Sequence, residues 1–138
     1  MDLPSRTSQK TGAIALSSNT LESLPAKIEV PRYDRSHLTP GILHIGVGNF
    51  HRAHLAWYIH RLMQRGAALD WAIIGAGVRE QDSLMREKLL AQDCLTTLIE
   101  LDPLGAQETE ITGVMLDFAE SQQLVCQQRR IWRYPDIT

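Results

Sequence analysis

The stretch Gly41-Ile-Leu-His-Ile-Gly-Val-Gly-Asn-Phe-His-Arg-Ala-His54 joins a short run of branched apolar residues to a glycine-containing turn. Residues 42–45 lie between Gly41 and Gly46, a pattern typical of a buried parallel strand. After Gly48 the apolar residues change to helical spacing. The stretch therefore predicts a strand, a tight turn and a helix, in that order.

The helix predicted after Gly48 is amphipathic and ends near Gly66, a residue type that commonly follows a helix. Its apolar positions recur at i, i+4, i+7 and i+8, which share one helix face. These apolar residues are Leu55, Ile59, Leu62 and Met63. The polar residues Arg52, His60, Arg61 and Gln64 fall largely elsewhere around the helix.

A second apolar run and a second helix follow. Residues 71–74 are apolar and are closed by Gly75 and Gly77, so they predict a second buried strand. Residues 83–91 have helical spacing and predict a helix. Its inward-facing residues are expected to be Leu84, Met85 and Leu89.

A β-hairpin is predicted next, from two β-prone stretches over residues 95–101 and 108–115. Between them, Asp102-Pro-Leu-Gly105 puts Asp, Pro and Gly at positions that a type I turn prefers. Alternating strands and helices place the chain in the α/β class, as a partial Rossmann-type dinucleotide-binding domain with a hairpin and an irregular C-terminal tail.

Three segments differ in composition. Residues 1–23 are rich in small polar residues and predict a flexible N-terminal tail, because they offer little apolar surface to offset the entropy of ordering. Residues 24–118 are expected to form the incomplete nucleotide-binding domain. Residues 119–138 contain several Gln and Arg residues without clear periodicity and predict an irregular tail.

Charge and cysteine usage limit the possible partners and location. The 138 residues include 14 basic and 16 acidic side chains, a net charge of −2, so nucleic acid and anionic membrane surfaces are not expected as partners. Cys94 and Cys126 lie far apart and are expected to be reduced structural thiols. A cytoplasmic location is therefore predicted, and no apolar run is long enough for a membrane helix.

The turn after the first strand carries two of the three glycines of a dinucleotide fingerprint, Gly46 and Gly48, with His51 in the third place. Gly46 would permit the tight turn. Gly48 would let a pyrophosphate approach the backbone amides at the positive end of the helix. From the residues alone, a tight turn with no ligand is the alternative.

An acidic residue after the second strand is also expected, to accept hydrogen bonds from the adenine ribose. Glu80 and Asp82 follow the glycines there, although Asp82 lies further from Gly48 than the usual separation of about 20 residues. Asp82 is equally well interpreted as an N-terminal cap of the second helix. No metal site is predicted, because the histidines, including His44, His51 and His54, lack a second ligand pair at suitable spacing.

The run from Gly41 to His54 resembles the opening motif of the long-chain mannitol dehydrogenase family. The likeness continues through six further stretches and covers roughly residues 24–118. These stretches are Leu24-Pro25, Pro31–Arg35, Asp70–Arg79, Ala91–Asp93, Thr96–Glu100 and Val114–Asp117. Within the family it is strongest to mannitol 2-dehydrogenases, which implies NAD as cofactor and interconversion of D-mannitol and D-fructose.

The resemblance also implies site residues. It implies that a histidine at the third glycine position, as His51 is here, is typical of the family. It also implies that Asp82 lies where family members have the carboxylate that binds the adenosine ribose. Gln81 stands where a second acidic residue often sits. The residues expected to contact the cofactor are Ile45, Gly46, Val47, Gly48, Asn49, Phe50, His51, Arg52 and Asp82.

Two departures from the family pattern concern the end of the chain. Family members are more than three times as long, and their catalytic lysine, asparagine and histidine belong to a C-terminal domain that is not in this sequence. We therefore expect no catalytic residue in the chain and no activity from it alone. A frameshift or premature stop would explain residues 119–138, and a stand-alone nucleotide-binding or partner-binding module is the alternative.

Overall fold

The computed structural model describes residues 12–119. The strands are β1 (Ile28–Glu29), β2 (Pro40–Ile45), β3 (Ala72–Ala76), β4 (Thr96–Leu101), β5 (Gln107–Thr112) and β6 (Met115–Ala119). The α-helices are α1 (Ala56–Met63) and α2 (Asp82–Leu90). A π-helical turn, His51–Leu55, leads directly into α1, and 3-10 helices cover Ser18–Ser23 and Arg35–His37.

A parallel sheet of three strands, in the order β2-β3-β6, carries the glycine turn at the end of β2. Strands β2 and β3 are in register from His44 opposite Gly75 to Ile45 opposite Ala76. This is the first-second-third order found in one half of a doubly wound nucleotide-binding sheet. The predicted α/β class and partial Rossmann-type fold are confirmed.

Strand β2 lies at an edge of this sheet and is less buried than the sequence predicts. Residues 42–44 are half-buried, and Ile45 is 56% exposed. In the part of the chain that the structure describes, β2 pairs with β3 and has no strand on its other side. The apolar run therefore has the composition of a central strand but lies at an edge.

The core fills the space between the parallel sheet and the two helices. Its most deeply buried members include Met63 of α1, Ile73 of β3 and Leu89 of α2. Two predicted core residues are wrong: Leu62 is 45% exposed and Leu84 is 63% exposed. Both lie at the border of an apolar stripe, where a small rotation of the helix decides which side chain is buried.

The predicted hairpin is present, but its second strand is shorter than expected. Strand β4 pairs antiparallel with β5, and Gly105 donates a hydrogen bond to the Asp102 carbonyl in the turn, 3.0 Å away. The predicted strand over residues 108–115 is instead divided at Gly113, and β6 leaves the hairpin to pair with β3. Gly113 has no room for a side chain, since an added Cβ would lie 2.9 Å from Pro31 and 3.0 Å from Arg35.

Arg35 holds this division of the strand in place. Its guanidinium donates to the Gly113 carbonyl at 2.9 Å, the Met115 carbonyl at 2.9 Å and the Asp93 carbonyl at 2.7 Å. The three acceptors come from the break between β5 and β6 and from the loop before β4. One side chain thus joins the lead-in segment to the start of β6 and to the loop before β4.

A buried polar network attaches α1 to the hairpin sheet. His60 is fully buried, which corrects its predicted place on the polar side of the helix. Tyr33 Oη lies 2.7 Å from His60 Nδ1, and His60 Nε2 lies 3.2 Å from the Glu110 carboxylate, at ion-pair distance but without hydrogen-bond alignment. Trp57 donates its indole N–H to the same carboxylate at 2.9 Å, and Arg61 lies 3.6 Å from it.

The N-terminal segment has local structure before residue 24, where the sequence predicts a flexible tail. In the 3-10 helix Ser18–Ser23, the Ser18 amide donates to the Asp93 carboxylate at 2.8 Å. The earlier part of the predicted tail, residues 1–11, lies outside the described residues, as do residues 120–138 of the predicted irregular tail.

Replacing Arg35 by Gln should lower the free energy of unfolding by about 2–4 kcal/mol, because three carbonyl groups lose a charged donor. Urea unfolding followed by circular dichroism measures this loss. The matched control is Arg65→Gln on the exposed end of the α1 region, which should change stability by less than about 0.5 kcal/mol. Equal stability of the two variants would contradict the structural role of Arg35.

Candidate functional site

The turn between β2 and the first helix is built on Gly46. Its φ of +91° lies in the left-handed region, which glycine adopts without the steric cost that a Cβ brings. Its amide donates to the Ala76 carbonyl at 2.8 Å, which fixes the turn to the end of β3. The Gly48 amide donates to the Gly46 carbonyl at 3.0 Å, and helical structure starts at Asn49.

Gly48 leaves open space above the start of the helix. A Cβ built on Gly48 would meet no other atom within 4 Å, and the φ of Gly48 is not positive. A side chain at this position would therefore fold without strain but would occupy the space above the turn. The residues here fit a pyrophosphate, because a helix start beside open space offers backbone amides to an anion.

The remaining residues of the turn divide into buried and exposed sets. Val47 is buried and packs on β3 at Gly75, where an added Cβ would lie 2.7 Å from it. Phe50 is 77% exposed and packs its ring against His54. Arg52 donates to the Asn49 side chain.

Asp82 closes the loop that follows β3. One oxygen of its carboxylate, Oδ2, accepts hydrogen bonds from the amides of Val78 at 3.0 Å and Arg79 at 2.9 Å. The Arg79 guanidinium lies 3.5 Å from the other oxygen, Oδ1. The bond from the Arg79 amide, together with that from Val78, lowers the pKa of Asp82, so the carboxylate is ionised at neutral pH.

The alternative interpretation of Asp82 as a helix cap needs correction. The N-cap position of α2 is Gln81, and Asp82 is the first residue of the helix. Its carboxylate accepts hydrogen bonds from amides of the preceding loop rather than from amides of the helix. Asp82 therefore holds the loop in place, a role that we call a loop brace. Oδ1 keeps acceptor capacity beyond the Arg79 contact, as a contact with a ribose hydroxyl would require.

The glycine turn and the Asp82 loop lie at the same edge of the sheet. Both follow the carboxyl ends of adjacent parallel strands, which are in register at Ile45 and Ala76. Ligands of open α/β sheets bind at this edge, where the strand order reverses. The sequence-predicted turn residues and Asp82 are therefore placed on one side of the molecule.

The rings of His44 and His51 contact each other at a tilt of 38°, which the sequence did not reveal. Their ring centroids are 3.9 Å apart, and His51 is 3% exposed. Within residues 12–119, neither ring nitrogen of His51 has a hydrogen-bond partner, and neither has Nδ1 of His44. Sequence spacing shows that these residues flank the turn, but not that their rings meet.

Other candidate chemistry is limited. No group of three or more His, Cys, Asp or Glu side chains in the described chain is arranged to hold a metal ion. Burial raises the pKa of the Cys94 thiol to about 11, so this buried cysteine is unreactive at neutral pH. No helix among residues 12–119 is both long and apolar enough to cross a membrane.

Comparison with known proteins identifies the family. Residues 40–130 match the mannitol dehydrogenase Rossmann domain. The chain belongs to the mannitol dehydrogenase family. The resemblance inferred from the residues is thereby confirmed.

Three relatives show how much of a longer protein the chain represents. A mannitol 2-dehydrogenase of Cereibacter sphaeroides is 59% identical over 64% of this chain and 18% of the relative. A polyol:NADP oxidoreductase of Gluconobacter oxydans is 41% identical over 75% of this chain and 21% of the relative. The solved Pseudomonas fluorescens mannitol 2-dehydrogenase, a ternary complex with NAD and D-mannitol, superposes with a TM-score of 0.77 and 38% identity, over 82% of this chain and 24% of that one.

Stability should decrease as the pH falls below about 6.5. Burial, followed by the nearby His44 and Arg52, lowers the pKa of His51 from 6.5 to about 4. Between pH 6.5 and about 4 the unfolded chain binds a proton at this ring, whereas the folded chain does not. The free energy of unfolding therefore decreases as the pH falls through that window. Burial also lowers the pKa of His60, which acts in the same direction.

Urea unfolding at several pH values between 4 and 7 measures this dependence. His51→Ala should flatten the slope, whereas the exposed His54→Ala should leave it unchanged. An identical pH slope in wild type and His51→Ala would show that His51 is not held neutral by the fold.

Proposed function

We propose that this chain provides the adenosine- and pyrophosphate-binding part of an NAD-dependent polyol oxidoreductase of the mannitol 2-dehydrogenase type. The observation that supports this most directly is the open space over Gly48 at the start of a helix, at the same sheet edge as Asp82. Homologues with mannitol 2-dehydrogenase activity support the polyol class. The substrate pair proposed for the whole enzyme is D-mannitol and D-fructose.

In this proposal the residues of the turn hold the cofactor. The helix amides after Gly48 would donate to the pyrophosphate, and the helix dipole would favour its negative charge. Phe50 and Ile45, both exposed beside the turn, would cover apolar parts of the dinucleotide. Asp82 would accept from the adenine ribose through Oδ1.

The cofactor itself supplies the redox step, since NAD accepts a hydride from an alcohol carbon. The chain's own residues orient the dinucleotide and keep its phosphates paired with amides. We assign no catalytic residue to the chain, because a general base for the alcohol proton is not among its proposed site residues. We therefore propose that the 138-residue chain alone binds NAD but does not oxidise mannitol.

A non-enzymatic module is the second candidate. It is favoured by β2, which has an exposed residue in Ile45 and no strand on its outer side in the described chain. Such an edge can recruit another strand. Formation of NADH from mannitol and NAD, followed by absorbance with the purified chain, would contradict the assignment of the chain as a binding part alone.

The free buried thiol of Cys94 is compatible with the proposed cytoplasmic location.

Replacing Gly48 by Val should abolish most NAD binding while preserving the fold. The branched side chain would occupy the open space over the turn, and the backbone at Gly48 does not require a positive φ. Calorimetric titration with NAD, beside a thermal melt of each protein, measures both effects. Gly46→Ala is the contrasting control, because its φ of +91° should cost about 1–2 kcal/mol of stability. Unchanged NAD affinity in folded Gly48→Val would remove the turn from the site.

Replacing Asp82 by Asn should shift cofactor preference from NAD toward NADP. The amide keeps one oxygen to accept from the Val78 and Arg79 amides, but it no longer repels the 2′-phosphate of NADP. The exposed Arg79 guanidinium would then be free to pair with that phosphate. Titrations with both dinucleotides measure the ratio of affinities.

The double variant Asp82→Asn with Arg79→Ala should lose the gain in NADP affinity. If the ratio of NADP to NAD affinity is the same in wild type and Asp82→Asn, Asp82 is only a loop brace. A thermal melt distinguishes that outcome from unfolding of the variant.

A further inference from the structure

The contacting rings of His44 and His51 contain buried polar atoms that have no partner within residues 12–119. His44 is two residues before Gly46, and His51 is three residues after Gly48, so the two rings flank the turn. Both nitrogens of His51 and Nδ1 of His44 are buried and lack hydrogen-bond partners among the described residues. A neutral imidazole in this position has a lone pair that no donor of the described chain faces.

The groups around His51 are basic or neutral. His44 faces it from β2, and Arg52 lies next to it on the π-helical turn. Strand β4 also contacts this turn and contributes Thr96, Thr97 and Leu98, which carry no charge. In the part of the chain that the structure describes, no carboxylate is among the groups that influence the charge of His51.

We propose that His51, whose ring contacts that of His44, takes up a proton from solvent when a dinucleotide pyrophosphate binds at the glycine turn. The proton is carried on a ring nitrogen of His51, and only this N–H bond to the solvent proton forms. This inference rests on the proposed NAD site. It assigns to His51, in the place of the third glycine, a part in the pH dependence of binding.

A bound anion supplies the negative charge that the surroundings of His51 lack. A nearby negative charge favours the protonated form of an imidazole, and a pyrophosphate carries two such charges. Binding would therefore raise the pKa of His51 above its value of about 4.

Two consequences follow for binding. At about pH 5.5 the complex holds a fraction of a proton more than the free protein, whereas at about pH 8 neither form is protonated at His51. The affinity for NAD should therefore rise about a few-fold between pH 8 and pH 5. The direction follows from proton uptake, since lowering the pH favours the state that binds more protons.

Isothermal titration with NAD tests the proposal in two buffers of different ionisation enthalpy. At about pH 5.5 the dependence of the observed heat on buffer should show net proton uptake per NAD bound, and at about pH 8 it should show none. His51→Ala should reduce the uptake per bound NAD to near zero, whatever its affinity. The matched control His54→Ala removes an exposed imidazole and should retain the uptake.

A second measurement avoids dependence on a folded His51 variant. Nuclear magnetic resonance of the imidazole protons, with and without NAD, should show the His51 titration moving to higher pH in the complex. NAD binding without uptake at about pH 5.5 would overturn the inference and leave the site intact. No NAD binding by the wild type would overturn both, and uptake that persists in His51→Ala would place the proton on another group.

Discussion

The left-handed backbone of Gly46 is the constraint on which the rest of the site depends. It turns the chain from β2 into the first helix within a few residues and points the Gly46 amide at the Ala76 carbonyl of β3. That bond fixes the helix start relative to two strands at once. The same turn leaves open space beside Gly48. The conformation of Gly46 therefore determines both where the helix begins and where an anion has room to bind.

The parts of the fold that lie away from the turn keep its supporting helix in place. Arg35 joins the lead-in segment to three backbone carbonyls, and Gly113 allows the chain to leave the hairpin for the parallel sheet. Tyr33, His60 and Glu110 attach α1 to the hairpin. The helix that starts at the glycine turn is therefore held by the sheet on one side and by a polar network on the other.

The sequence pattern predicts those features of the fold that depend on residues close together in the chain. The strand, turn and helix from residue 41 onward follow from a change of apolar spacing at two glycines, and the hairpin turn follows from Asp102 and Gly105. The sheet-edge position of Asp82 follows from its place after a strand, although its bonds to the Val78 and Arg79 amides do not.

Features that depend on distant residues could not be predicted in this way. Helical spacing places His60 on the polar face of α1. Its burial is explained by its contacts with Tyr33 and Glu110, which are distant in the sequence. The division of the second hairpin strand depends on Arg35 and Pro31, which are far away in sequence. The exposure of β2 depends on whether another strand pairs with its outer side, and the spacing of apolar residues within β2 does not predict this.

The most direct test of the central claim is a titration of the isotopically labelled chain with NAD, followed by amide nuclear magnetic resonance. If the glycine turn and the Asp82 loop form one dinucleotide site, the amides of residues 46–52 and 78–82 should shift together with a single affinity. The hairpin amides of residues 96–112 should stay unchanged. Shifts that spare the turn, or that appear only in the hairpin, would contradict the proposed site.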